Sequence, residues 1–485
     1  MPQTFISEKI CFHKETVLYI LTFIGLRIFS YLFTSHDILQ AIFCFVSIML
    51  FGLLYFKNEE YAFLLLLGEL LLGGSGHLFE FFGLSLRLLL LICFSLLWFL
   101  HHTLFLKTIK KFYIPHHIFH LLIALSFIVF FSFFNGLQSG HIPHNVISDT
   151  IPYVYFTFLL PFYFLLHNVH TQHSLLRLVV AFIVGSSLFS VFNFVMFSSG
   201  ATVIQGPYYL WLRWVNLAKI TDMGEGFFRI VLPEHFLLIP IALLLMSLLI
   251  TKMRHSKFFI FLLILILLTT IIDLSRTLLL GLGIGSFVLL YRHNVLSWVK
   301  IMLFTLLISF ILFVSINFTA SQGKTFGFDL FTTRVTSLIN PDTERSTKTR
   351  MALLPDIWAQ IETSPLFGNG LGAEVTYFDT YESKEIATTQ LDWGYFELLV
   401  EIGIFGAFIY LSVIILTLLG LLHKIKNHIL HKSFYVGLLS GFVSLLFMNI
   451  TSPALFHVFG VFFIVIIISI IMRPYHLLDA FFPPE

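Results

Sequence analysis

FLLILILLTTIIDLSRTLLLGLGIGSFVLLY, residues 261–291, decides the fold class. Two apolar runs, 258–272 and 277–291, enclose one polar quartet, Asp273-Leu274-Ser275-Arg276. A spanning helix needs about 20 apolar residues, and hydrocarbon tolerates no unpaired backbone, so both runs read as membrane helices. The same reading extends outward to 17–34, 38–56, 61–79, 84–100, 118–134, 151–166, 176–197, 236–251, 298–317, 394–422, 433–450 and 455–472. Together they predict an all-α polytopic transmembrane helix bundle of about 12–14 spans. The run 61–79 is interrupted by Gly73-Gly74-Ser75-Gly76 and is a candidate re-entrant segment.

Composition excludes the alternatives. Of 485 residues, 58% are hydrophobic and only 11% charged, too few charges to cover soluble domains, which run near ~25%. The net charge of +2 gives no argument for nucleic acid as a partner; membrane lipids are the expected surroundings. Cys11, Cys44 and Cys93 have no metal-ligand spacing and no disulfide framework. Glu8 and Glu15 precede the first apolar run, so a cleaved leader is not expected.

Lys and Arg set the orientation. With the N-terminus inside, sixteen of the 28 basic residues fall in short inner segments such as KMRHSK (252–257) and HKIKNHILHK (423–432). Two outer segments stand out, 198–235 and 318–392. The second is 75 residues long with sixteen charged side chains, and a loop of that length in a compact protein is usually functional. The expected organisation is therefore 1–317 as transmembrane helices with the outer loop 198–235, 318–392 as one large, partly helical outer loop, and 393–485 as the C-terminal transmembrane helices.

Several charges lie against the bilayer. Asp273 and Arg276, three apart, could pair on one helical turn. Alternatively Arg276 is a cation at a helix N-terminus, which suits a phosphate. Arg229 sits at the same interface; Arg213, between Trp211 and Trp214, is typical of interfacial anchoring. Arg27, Glu69 and Arg87 are the ionisable residues a transporter would place near the midplane.

In the long loop, Ser346 to Thr363 reads as an amphipathic helix with Met351, Leu354, Trp358 and Ile361 on its apolar face, Arg350 at the start and Pro355 as a kink or restart. LFGNGLG (366–372) is a Gly-rich turn; a phosphate cradle is the sharper alternative, but no strand precedes it. Asp392 opens the next helix, followed by Glu397 and Glu401, and is either a cap or a general base. Among 21 histidines, His101-His102 and His116-His117 flank a basic segment, with His120 one turn on; headgroup packing is the reading, and no metal site is expected.

Taken in order, Ser275-Arg276, Arg350, Trp358, SPLFGNGLG (364–372), Asp392 and EIGIFG (401–406) resemble the signature of the O-antigen polymerase and O-antigen ligase superfamily of bacterial membrane glycosyltransferases. The resemblance covers roughly 225–475. It implies an inner-membrane enzyme with a periplasmic active site and no cofactor. Such an enzyme transfers a glycan from undecaprenyl pyrophosphate to an acceptor sugar, with a chain-length regulator protein as a candidate partner. Carried over, Arg276 and Arg350 are expected to hold the diphosphate and Asp392 to act as acid/base. Arg229, Arg213, Trp358, Tyr395 and Glu401 are the expected substrate-binding set. Ligases of the family carry a His-Asn or His-Ser pair where this chain has Asp392-Trp393, and Asp392-Trp393-Gly394-Tyr395 looks more like repeat-unit polymerases. Ligase and flippase remain the alternative readings.

Overall fold

The computed structural model describes residues 13–105, 116–166, 168–251, 256–339, 345–379, 384–427 and 431–472. The chain is a helical bundle with three two-stranded hairpins. Among the described residues, seven helices are long and apolar enough to cross a membrane: Lys14–Phe33, Asp37–Lys57, Leu86–Thr103, Ile118–Gln138, Val169–Ser198, Val295–Ala320 and Gly394–Asn427. Shorter apolar helices at His235–Ile250, Arg276–Tyr291, Lys432–Met448 and Val458–Ile471 fill the interior. Peripheral helices turn large apolar side chains outward, as Leu303, Leu306 and Phe310 do. An apolar outer surface on such helices is what a lipid solvent calls for, and the chain is a multi-pass membrane protein.

Lipid supplies no hydrophobic drive between helices, so close packing must do it. At the centre, His235–Ile250 lies against Lys432–Met448. A Cβ on Gly441 would stand 2.8 Å from Pro240 Cα, and one on Gly437 2.8 Å from Leu244 Cα. Ser440 Oγ donates to Gly285 O on the next helix at 2.5 Å. Small residues four apart (Gly437 and Gly441, Gly281 and Gly285) therefore set these contacts.

The interrupted run near residue 73 is a broken helix. Glu59–Leu72 is about 21 Å long at 1.5 Å per residue, short of the roughly 30 Å hydrocarbon core. Non-helical backbone follows, then the small hairpin Glu80–Phe81 with Leu84–Ser85, then helix Leu86–Leu100. Two guanidinium groups satisfy the carbonyls exposed at the break. Arg27 donates to Leu72 O at 2.7 Å, and Arg87 to Gly74 O at 2.7 Å and Leu70 O at 3.2 Å. Their charges are balanced by Glu234 at 3.3 Å and Glu69 at 2.7 Å. Arg27, Glu69 and Arg87 thus hold a helix end together.

Other expectations need correction. The run 151–166 begins earlier and is broken into Pro143–Val154, a 3-10 turn Tyr155–Phe158 and Leu159–Leu165. Helix Arg345–Thr363 runs on through Pro355, which faces outward and costs it only one backbone donor. Its buried face is Leu353, Ile357 and Ile361, while Met351 and Trp358 are exposed. The basic segment 107–115 and most of KMRHSK lie outside the described residues, as do the His116 and His117 side chains.

Candidate functional site

Four corners of the chain meet at one end of the bundle. The first is the hairpin Lys219–Asp222 with Phe228–Val231, in which Thr221 pairs with Arg229. The second is the turn joining helix Ser256–Asp273 to helix Arg276–Val288. The third is helix Arg345–Thr363, and the fourth is the turn before helix Gly394–Asn427.

Arg229 links the first two corners: its Nε donates to Asp273 O at 2.7 Å, and its guanidinium lies 3.6 Å from Asp273 Oδ1. Asp273 does not use Arg276 as its local partner. Its Oδ2 faces His235 Nδ1 at 2.5 Å, and His235 Nε2 in turn faces Ser190 Oγ at 3.2 Å. All three side chains are fully buried, so this Ser-His-Asp chain anchors the corner from within. The next residue, Leu274, is held at φ +46, a left-handed conformation that costs a bulky side chain energy and persists only when its surroundings demand it. That turn delivers Arg276 as the first residue of its helix, adding a cation to the positive end of the helix dipole. Arg276 donates to Thr347 Oγ1 at 2.9 Å, reaching the third corner one turn before Arg350.

Arg350 Nε donates to Asp392 Oδ2 at 3.2 Å. Asp392, like Leu274, is left-handed, at φ +56. The other residues of its motif are committed to packing. Trp393 Nε1 donates to Arg350 O at 3.1 Å, a Cβ on Gly394 would meet Asn449 Oδ1 at 2.6 Å, and Tyr395 OH donates to Leu446 O at 2.8 Å. Asp392 is the one left facing outward, with its side chain 51% exposed. Its carboxylate binds Arg350 rather than capping the helix.

Lys219 reports the electrostatics of the gathering. Its ammonium titrates below the ordinary lysine range: crowding by protein is the largest cause, Arg229, Arg213 and Arg350 push it further down, and Asp392 pulls it back. Arg213 is therefore near enough for its charge to act on Lys219. Its neighbour Trp211 is buried and donates to Ser30 Oγ at 3.2 Å, so it anchors helix Pro207–Trp214 to the bundle, whereas Trp214 is exposed. Lys219 had no sequence signal of its own; one lysine in a short strand looks like any solvated charge.

The rest of the expected set is elsewhere. Trp358 is exposed on the outer side of its helix, and Tyr395 serves a helix–helix contact. Glu401 is buried beneath the corner and accepts from Gly372 N at 3.4 Å. Glu397 accepts from Leu391 N at 3.3 Å, which braces the Asp392 turn from below.

The glycine-rich turn does not cradle a ligand. Helix Gly394–Asn427 breaks at Gly403, which sits at φ +65 and ψ −173. The turn fills the break: Asn369 N and Gly370 N donate to Val400 O and Glu401 O at 2.7 and 3.0 Å, while Ile404 N and Phe405 N donate to Pro365 O and Leu366 O at 2.9 and 3.1 Å. A Cβ on Gly368 would stand 2.4 Å from Glu401 O, so two backbones touch where side chains would keep them apart. SPLFGNGLG and EIGIFG are the two halves of one joint, and that joint fixes the helix carrying Asp392 to the loop carrying Arg350.

Residues 258–411 match the family model described as O-antigen ligase. No curated protein and no solved structure matches the chain. The matched stretch, less than half of the chain, contains the Asp273–Arg276 turn, the Arg350 helix, the glycine joint and the Asp392 corner, and over that stretch the chain is similar to the O-antigen ligase family.

Proposed function

We propose that the protein is a polymerase on the periplasmic face of the bacterial inner membrane. It would take a glycan linked to undecaprenyl pyrophosphate and join it to a second lipid-linked repeat unit. One observation carries the reading: Arg213, Lys219, Arg229, Arg276 and Arg350 gather at one end of a membrane bundle beside an outward-facing carboxylate, Asp392. Cations in that number suit a diphosphate, and guanidinium groups grip phosphate oxygens two at a time.

The chemistry follows from the roles. The acceptor hydroxyl oxygen attacks the anomeric carbon, its proton passes to Asp392, and the bond from that carbon to the diphosphate oxygen breaks. Charge builds on the departing diphosphate, where Arg276 and Arg350 stabilise it more strongly than in the bound substrate. The Asp392–Arg350 ion pair then has a second use: it holds the base in place until the donor's phosphates draw Arg350 toward themselves. Polymerase is favoured over ligase by Asp392 at the position where ligases of the family carry His.

The test is reconstitution. Purified protein in liposomes, given a lipid-diphosphate-linked repeat unit alone, should lengthen it. Transfer only when lipid A-core is added would make the protein a ligase, and movement of the lipid across the bilayer without lengthening would make it a flippase.

A further inference from the structure

We propose that Glu59, His101 and His102 form a binding site for a divalent transition-metal ion, with Zn2+ the best match. The site lies at the end of the bundle away from the cationic cluster and is independent of it.

Two helices converge there. Helix Glu59–Leu72 starts with the Glu59 carboxylate, and helix Leu86–Leu100 ends in a π turn at His101–Phe105. Consecutive side chains on an α-helix diverge by about 100°. The wider π turn rotates less per residue, and the two imidazoles stay on one side, with ring centres 5.3 Å apart. π turns are rare and concentrate at functional positions. One ligand atom from each of Glu59, His101 and His102 lies within 4.8 Å of the other two. Ligands around a four-coordinate Zn2+, at about 2.0–2.2 Å from the metal, stand roughly 3.4 Å from one another, so rotamer adjustments of about 1 Å close the shell.

The surroundings point to a ligand as well. His102 Nε2 lies 2.8 Å from Glu59 Oε2, a hydrogen bond that brings the imidazole and the carboxylate together from the two helices. The other nitrogen of that ring, Nδ1, is buried with no partner among the described residues, and the residue is 4% exposed. Trp98 stacks on His102 with ring centres 4.3 Å apart, which fixes the ring plane. Tyr55 OH lies 3.4 Å from His101 Nδ1, the kind of contact that orients a ligating histidine. Two imidazoles and one carboxylate are a borderline-soft donor set suited to Zn2+, with one position left for water.

The consequence is structural. Arg27 and Arg87 hold the broken end of the Glu59 helix, and the ion would hold its start to the end of the Leu86 helix, closing the hairpin at both ends.

The test uses full-length protein, purified in detergent without a histidine tag and stripped with EDTA. Zn2+ alone is titrated calorimetrically, and thermal unfolding is followed with and without the ion. The chain has 21 histidines, so the comparison is with Glu59→Gln, which keeps a hydrogen bond to His102, and with His101→Gln. Each substitution should weaken the tightest binding by at least about tenfold, because even partners outside the coordination shell are worth 10–100-fold. Zn2+ should raise the unfolding temperature of the wild type and leave the double variant unchanged. X-ray absorption at the zinc edge of the wild type, which needs no variant, should show two imidazoles and an oxygen ligand. Equal binding by wild type and double variant, or a shell without two imidazoles, would overturn the site and leave His102–Glu59 as a packing pair.

Discussion

Arg350 and Asp392 are 42 positions apart and meet at 3.2 Å, one on the long loop and the other at the start of a membrane helix. With side chains 24% and 51% exposed, the pair is too open to be a strong structural tie; exposed ion pairs contribute only about 0–1 kcal/mol. Its value lies in position. The pair joins a cationic cluster to an outward-facing carboxylate.

Lysine in place of Arg350 or of Arg276 keeps the charge and loses the fork. Glycan transfer should fall by about tenfold or more in either variant, one lost charge-assisted hydrogen bond being worth roughly 1.5–3 kcal/mol. Membrane insertion and purification yield should stay unchanged. Transfer rates measured beside yields separate a lost contact from a lost fold, and near-normal rates in both variants would remove the diphosphate role.

Lys219 titrates below the usual lysine range, so at a given pH more of it is free amine than at an ordinary lysine. A water-soluble amine-acylating reagent at neutral pH should label it several-fold faster than Lys300, which lies far from the cluster. A bound polyphosphate raises an ammonium's pKa, so a short-chain isoprenyl diphosphate should slow labelling at Lys219 and spare Lys300. Peptide mass spectrometry reads both rates. Equal rates with no protection would exclude Lys219 from the anion site.

The joint between the glycine turn and the helix break should be intolerant of one methyl group. In Gly403→Ala the new Cβ would lie 2.4 Å from Gly368 N at a residue already at φ +65. Strain and overpacking together should cost about 2–4 kcal/mol. Thermal unfolding in detergent should show a clear drop, with transfer lost in proportion to the protein remaining folded. An unchanged unfolding temperature would mean that the joint is not fixed.

Orientation can be checked by labelling. With Cys11, Cys44 and Cys93 replaced, Thr332→Cys should react with an impermeant thiol reagent in intact cells and Lys426→Cys should not. The opposite pattern would place the cluster on the cytoplasmic side.

The helices were legible because lipid leaves an apolar run few choices: it pairs its backbone within a helix or is covered by protein. Arg276, Arg350 and Asp392 were legible as charges set at helix starts beside a large polar loop. The break at Gly403 was not, since EIGIFG is as apolar as a continuous helix, and only the docking of residues 366–372 makes a break affordable. Nor was the chain Ser190–His235–Asp273, whose members come from three separate helices and become neighbours only when those helices pack. The face of helix Arg345–Thr363 was only partly legible, because Met351–Leu354–Trp358–Ile361 and Leu353–Ile357–Ile361 both fit helical spacing and share only Ile361. Periodicity does not say which stripe the bundle will cover.

The most direct test of the central claim is polymerisation by Asp392→Asn in liposomes, with binding of the lipid-linked donor measured on the same preparation. Asparagine keeps the shape and tolerates the left-handed backbone, but it cannot take the acceptor's proton. A general base typically contributes about 10²–10⁴-fold, so chain growth should fall on that scale while donor binding persists. Chain growth near the wild-type rate would contradict the account, leaving Asp392 as a partner for Arg350 and no base in the cluster.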